Sequence, residues 1–307
     1  MKQLTLAKTV KGVGIGLHKG EPIEITLEPL EANSGIVFFR SDLNASYKAS
    51  PENVINTQMA TVLGDERGFI STIEHLMSAI NAYGIDNVRI VLNANEAPVM
   101  DGSSISFCMM LDEAGVKELD VPKKIMVIKK PIEVRDGNKF VRLTPTKEPR
   151  INYTIKFDNA VIGEQSYNFE FSKKNYIENI ARARTFGFLK DVQALRSMNL
   201  ALGGSLENTI VVDENRILNP EGLRFKDEFV RHKILDAIGD LTLLGYRVFG
   251  DYTSYAGSHH LNHLLTKEVL KDKDAYEIVS LEKTTQKAYE IVSLEKTTQK
   301  AYEKVFA

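Results

Sequence analysis

Short runs in which β-branched and polar residues alternate recur through both halves of this chain, and they limit its fold more than any other feature. Ile23-Glu24-Ile25-Thr26-Leu27 and Val88-Arg89-Ile90-Val91-Leu92 have the period-two pattern of half-buried strands. Between them Ser71 to Ile80 reads as a helix, capped at Ser71 or Thr72 and closed by Gly84, and a second helix covers Ile105 to Ala114. Leu119 to Lys124 is charged, contains Pro122 and reads as a linker. The pattern then starts again. Strands are predicted over Lys124–Lys129, Ile132–Val134, Val141–Leu143, Ile151–Phe157 and Thr209–Val212, and near Val248–Tyr255. Helices are predicted over Lys173–Ala183 and Glu228–Leu244, the latter ending at Gly245. The expectation is an α+β protein of two domains, residues 1–121 and 125–270, each a sheet layered with helices.

Composition removes several function classes. No run approaches the ~18 apolar residues that a membrane helix needs. The start, Met1-Lys2-Gln3-Leu4, lacks the apolar stretch of a signal peptide. Cys108 is the single cysteine, so no intrachain disulfide can form and a cytoplasmic location is expected. Lys and Arg total 39 against 41 Asp and Glu, a net charge of −2 that argues against a nucleic-acid binder.

The end of the chain repeats itself. Ala275 to Lys287 and Ala288 to Lys300 are the same 13 residues, AYEIVSLEKTTQK. Thirteen residues turn a helix by about 1300°, about 140° short of four turns, so an apolar stripe would not align with its copy. Residues 271–307 are read as a helical tail carrying a neutral duplication outside the catalytic unit.

Three segments can carry chemistry. On the helix beginning near Glu228, His232, Asp236 and Asp240 fall at i, i+4 and i+8, near one face. Imidazole and carboxylate at that spacing make half of a zinc site; a solvated polar face is the plainer alternative. Glu74-His75 could supply a base and a third ligand, or Glu74 could close a capping box with Ser71. Gly257-Ser258-His259-His260-Leu261-Asn262-His263 holds three of the six histidines, as ligands, as an acid or as a solvated loop. Gly12-Val13-Gly14-Ile15-Gly16 lacks the spacing and setting of a dinucleotide loop and reads as a turn before a strand. Gly203-Gly204 could bring bare backbone to a ligand or simply turn, and Asp101-Gly102-Ser103-Ser104 reads as a turn and N-cap.

Together these stretches resemble one family, the zinc-dependent UDP-3-O-acyl-N-acetylglucosamine deacetylases of lipid A biosynthesis in Gram-negative bacteria. The resemblance is carried, in order, by GVGIGLHKG (12–20), STIEHLMSAINAYGIDN (71–87), PVMDGSS (98–104), ARARTFGF (181–188), LGGSLENTIVV (202–212), NPEGLRFKDEFVRHKILDAIGDL (219–241) and the GSHHLN segment. It implies two similar α+β domains with the active site between them. It implies that His75, His232 and Asp236 bind one Zn²⁺ and that Glu74 is the general base. His259 would stabilise the oxyanion or protonate the leaving amine, oriented by Asp240, and Thr185 would bond the tetrahedral intermediate. Lys233 would contact substrate near the metal, Phe186 would flank the sugar and Phe157 would stack in the uridine region. Residues around Met198, Leu200 and Leu202 fall where the family builds its acyl passage, with ordinary core as the alternative, and Gly204 is expected to contact substrate.

The implied reaction is hydrolysis of the N-acetyl group, releasing acetate. The implied partner is an acylated UDP-sugar met by transient contact with a membrane surface, with no nucleic acid and no protein partner evident. Two positions depart from the resembled pattern: a basic residue commonly stands where this chain has Ala256 and a glycine where it has Ser258, and His260, His263 or another base is expected to compensate. Two other functions compete with this reading, a zinc amidohydrolase for a smaller N-acetyl substrate and a catalytically dead binding protein. The second fits poorly with Glu74, His75, His232, Asp236 and His259 all being present.

Overall fold

Two five-stranded sheets built to one plan organise the chain. The computed structural model describes residues 1–282. The first half runs β1 (Lys2–Leu6), β2 (Val10–Ile15), β3 (Pro22–Pro29), β4 (Ile36–Arg40), β5 (Ala45–Lys48), β6 (Val54–Asn56), β7 (Val62–Asp65), β8 (Gly68–Ile70), α1 (Glu74–Ala82), β9 (Val88–Leu92), α2 (Ile105–Ala114) and β10 (Val116–Pro122). The second runs β11 (Lys124–Ile128), β12 (Ile132–Asp136), β13 (Lys139–Thr144), β14 (Arg150–Lys156), β15 (Glu164–Glu170), α3 (Lys173–Asn179), β16 (Phe186–Phe188), α4 (Leu189–Ser197), β17 (Ile210–Val212), α5 (Glu228–Thr242), β18 (Arg247–Phe249), β19 (Asp251–Tyr255), α6 (His259–Lys271) and β20 (Tyr276–Ser280).

The main sheets have the orders β2-β3-β9-β4-β5 and β12-β13-β19-β14-β15. Each is two hairpins with the last strand inserted between them, antiparallel to the first hairpin and parallel to the second. The helix before the inserted strand is α1 in one half and α5 in the other, and the helix after it is α2 or α6. Strand alternation sets the buried faces: Ile23, Ile25 and Leu27 on β3, and Ile151, Tyr153 and Ile155 on β14. Helices α1 and α5 meet between the sheets. Gly239 permits that approach, since a Cβ there would sit 2.1 Å from the Glu74 carbonyl oxygen.

Several expectations need correction. Residues 119–124 are not a loop linker: β10 pairs with β1, and the chain passes through Lys123 directly into β11. Lys123 is buried, and its ammonium bonds the Gly84 carbonyl and Asp86. The Gly12–Gly16 stretch is strand for most of its length, because β2 pairs with β3 through Ile15. No capping box opens α1; its N-cap is Ile73, and Glu74 turns elsewhere for its bonds. Helix α3 stops at Asn179, short of Ala183; beyond it the Ala181 carbonyl accepts from the Ser104 amide and the Ala183 carbonyl turns to His232 on α5. The Val248–Tyr255 region is two strands in different sheets, divided at Gly250. The expected helical tail is, over Tyr276–Ser280, strand β20 antiparallel to β11, as the alternating β-branched Ile278 and Val279 favour. The second 13-residue copy lies outside the described residues.

Candidate active site

Three helices deliver the chemistry. Glu74 and His75 open α1, His232, Asp236 and Asp240 follow along one face of α5, and His259 is the first residue of α6, which Ser258 caps through the Leu261 amide. The segment with three histidines is thus a helix start rather than a loop.

His232 Nε2 lies 3.2 Å from Asp236 Oδ1, and His75 Nε2 lies 3.6 Å from the same oxygen. That oxygen is buried and accepts no hydrogen bond. One donor atom from each of the three residues falls within 4.8 Å of the others. An orphaned buried carboxylate oxygen is costly, and a cation shared with two imidazole nitrogens removes the cost. His232 Nδ1 is 3.0 Å from the Ala183 carbonyl oxygen. A carbonyl only accepts, so Nδ1 carries the proton and Nε2 keeps its lone pair outward. Burial pushes His232 down to about 3, leaving it neutral as a ligand must be. Burial works against the charge on Asp236, but the Lys233 ammonium and the cationic His259 beside it outweigh this and hold the carboxyl well below the usual range. Lys233 Nζ donates to Asp236 Oδ2 at 2.7 Å. This buried group fits a metal-dependent enzyme.

A cluster of titratable side chains adjoins it. His259 Nε2 stands 3.7 Å from Glu74 Oε1, and its Nδ1 donates to Asp240 Oδ2 at 2.8 Å. Burial alone would lower the His259 pKa, yet the Asp240 and Glu74 carboxylates reverse this and raise it to about 9. The imidazole is therefore cationic near neutral pH. Burial pushes the Glu74 carboxyl up, moderated by His259 and His75, which suits a base.

The other expected residues are spread around this centre. Thr185 donates its amide to the Gly102 carbonyl, two residues beyond the Ala183 carbonyl that holds His232. The Phe186 ring lies 6.2 Å from the His232 ring, with Lys233 Nζ 5.9 Å from its centre. Phe157 packs edge-on against Phe186 at 5.7 Å, one ring further from His232. Met198 is 60% exposed, so it is not core, and Leu200 is half-buried. Gly204 lies against Leu17. The neighbouring Gly203 crosses to the first half, where its amide bonds the Leu17 carbonyl and any Cβ would strike Gly16. His260 is exposed, with Nδ1 3.3 Å from Thr57 Oγ1. His263 is half-buried and lowered by that burial, with Nδ1 unpartnered.

Sequence reasoning passes over four supports. Asp240 Oδ2 also accepts from Asn262, whose side-chain oxygen accepts from the Tyr252 hydroxyl. Thr61 donates its hydroxyl to Asp240 Oδ1 at 2.6 Å and its amide to Glu74 Oε2 at 3.1 Å. Ser104 Oγ donates to the His75 carbonyl at 2.7 Å. Arg184 and Glu228 form a buried pair at 2.9 Å, and Glu228 also accepts the Arg184 amide, which fixes the Ala183 segment on α5. A turn at Asp101–Ser104 is legible locally; what it touches is not.

Comparison with known proteins agrees with this geometry. Residues 3–271 match the family model described as LpxC, UDP-3-O-acyl N-acetylglycosamine deacetylase. A protein of Campylobacter jejuni subsp. jejuni named UDP-3-O-acyl-N-acetylglucosamine deacetylase is 99% identical over 287 residues, 94% of this chain and 98% of that protein. Proteins of the same name from Campylobacter lari and Campylobacter fetus subsp. fetus are 81% and 69% identical over the same shares. The lower share on this side is what an extra tail copy produces. Every residue of the two clusters falls within the matched span, and the chain belongs to the UDP-3-O-acyl N-acetylglycosamine deacetylase family.

Proposed function

We propose that this chain hydrolyses the acetamide of UDP-3-O-acyl-N-acetylglucosamine, releasing acetate and the free 2-amine, with one Zn²⁺ held by His75, His232 and Asp236. The observation that carries the reading is the orphaned Asp236 Oδ1 between two imidazoles, with the Glu74–His259 pair beside it. When bound, Zn²⁺ supplies Lewis acidity to a water and to the acetamide carbonyl. Glu74 takes the proton of the attacking water. His259, cationic with a pKa of about 9, faces the oxygen on which charge develops and then passes its Nε2 proton to the leaving nitrogen. Asp240 holds His259 by Nδ1, which fixes where Nε2 faces. Thr185 donates a hydrogen bond to the developing oxyanion.

Lys233 contacts substrate while neutralising Asp236, Phe186 flanks the sugar and Phe157 stacks toward the uridine. Met198, Leu200 and Gly204 border the acyl chain; the exposed Met198 side chain supports this reading. Of the two histidines that could replace a basic residue at Ala256, His260 is the better placed, because burial works against charge on His263. Residues 1–121 and 125–270 serve as the two domains. No helix of the described residues is long and apolar enough to cross a membrane, and we place the protein in the cytoplasm, touching a membrane surface only to collect its acylated substrate. Acetate release from the acylated UDP-sugar, set against release from simple acetamides, tests the substrate. Equal rates on both would overturn it.

A further inference from the structure

Thr61 precedes β7, in the small sheet β6-β7-β8 that the first half inserts between β5 and α1. It is 2% exposed and reaches two elements of the site at once. Its amide donates to Glu74 Oε2 on α1 at 3.1 Å, and its hydroxyl donates to Asp240 Oδ1 on α5 at 2.6 Å. The other Asp240 oxygen holds His259 at 2.8 Å. The carboxylate that accepts a proton and the imidazole that gives one are therefore referenced to a single residue lying on neither helix. We propose that Thr61 is a positioning residue for the deacetylation, setting the Glu74–His259 separation by hydrogen-bonding Glu74 and the Asp240 anchor of His259 together.

Geometry favours this over plain core packing. Asp240 has three donors, and Asn262 and His259 both sit on Oδ2. Thr61 is the donor on Oδ1. Removing its hydroxyl frees the carboxylate to rotate about the bonds on its other side, and the imidazole rotates with it. The amide bond to Glu74 survives any side-chain change, so the hydroxyl can be tested alone. A displacement of an ångström between reacting groups costs on the order of a hundredfold in rate, while ground-state binding of the substrate is untouched.

The inference rests on the roles proposed for Glu74 and His259, and its test separates the two. Thr61→Val, Thr61→Ala, Thr61→Ser and Glu74→Ala are compared in the full chain for kcat, KM, bound metal and melting temperature. Thr61→Val and Thr61→Ala are expected to lower kcat roughly 10- to 100-fold with KM within about threefold, while metal content holds and the melting temperature falls by only about a few degrees for the lost hydrogen bond. Thr61→Ser restores kcat to within about threefold, because it keeps the donor. In an Asp240→Ala background Thr61→Val costs less than about threefold more, since the hydroxyl acts through that carboxylate. Parental kcat in Thr61→Val beside an inactive Glu74→Ala overturns the Thr61 role alone, as does a Thr61→Ser chain no better than Thr61→Val. A kcat loss that tracks loss of metal also overturns it. Should Thr61→Val fail to accumulate, Thr61→Ala and Thr61→Ser decide the matter between them. An active Glu74→Ala overturns the underlying roles instead.

Discussion

His259 shows how one side chain is tuned by what surrounds it. Burial disfavours its charge, two carboxylates favour it, and the carboxylates win, raising the pKa to about 9. The sign follows directly. The protonated form is complete well below that value and is lost as pH rises through it, so kcat/KM is expected to fall on the alkaline side near pH 9. Asp240→Asn removes the largest favourable charge and should move that limb to lower pH; an unmoved limb would assign it to another group. Glu74→Ala and His259→Ala should each lower turnover by roughly 10²- to 10⁴-fold with the melting temperature held. At the edge of the site His260→Ala should raise KM for the UDP-sugar, whereas His263→Ala should leave it unchanged. Helical spacing alone puts His232, Asp236 and Asp240 on one face, so that cluster was legible in the sequence, whereas the roles expected of Glu74 and His75 came from the family resemblance. Thr61 was not, because its bond to Asp240 joins residues 179 apart and nothing in Gln58-Met59-Ala60-Thr61 announces a partner.

Helix α5 is the element on which the site is strung, and two features fix it. Gly239 lets α1 come close enough for His75 to meet His232 and Asp236. Gly239→Ala should push the helices apart, cost about 1–3 kcal/mol in denaturant unfolding and weaken metal retention. The Arg184–Glu228 pair locks the segment whose Ala183 carbonyl sets the His232 tautomer. Glu228→Ala removes the fully buried partner and leaves Arg184 to Glu221 and the Gly222 carbonyl, and should cost about 1–3 kcal/mol. At this scale the sequence reading succeeded where periodicity was strong, as in α2 over Ile105–Ala114, and failed where tertiary pairing decided. Leu119–Lys124 looked like a linker because charge and proline mark loops, yet β1 was waiting to pair with it. The glycines of β2 likewise suggested a turn until β3 supplied the ladder. Ala181 to Ala183 continued a helical pattern, but their carbonyls turned to distant partners, Ala181 to the Ser104 amide, Arg182 to Arg224 and Ala183 to His232 on α5.

The whole molecule is one sheet plan used twice, with equivalent helices α1 and α5 brought face to face. Each half also inserts a small unit ahead of its α1 or α5 helix, and each inserted unit is immediately preceded by or contains a threonine near the site, Thr61 before β7 and Thr185 before β16. The buried His75, His232 and Asp236 group that could hold a metal belongs to neither half alone, since His75 comes from one and His232 and Asp236 from the other. Holding the metal should therefore bind the halves together, and removing it should lower the melting temperature. The first copy of the duplicated tail supplies β20, and the second lies outside the described residues; deleting Ala288–Lys300 should leave kcat/KM and stability within about 0.5 kcal/mol of the parent. The most direct test of the account is acetate release from UDP-3-O-acyl-N-acetylglucosamine by chain stripped of metal with a chelator and then titrated with Zn²⁺. Release should vanish on stripping and return in full at one equivalent of Zn²⁺ per chain; undiminished release by the stripped chain would contradict it.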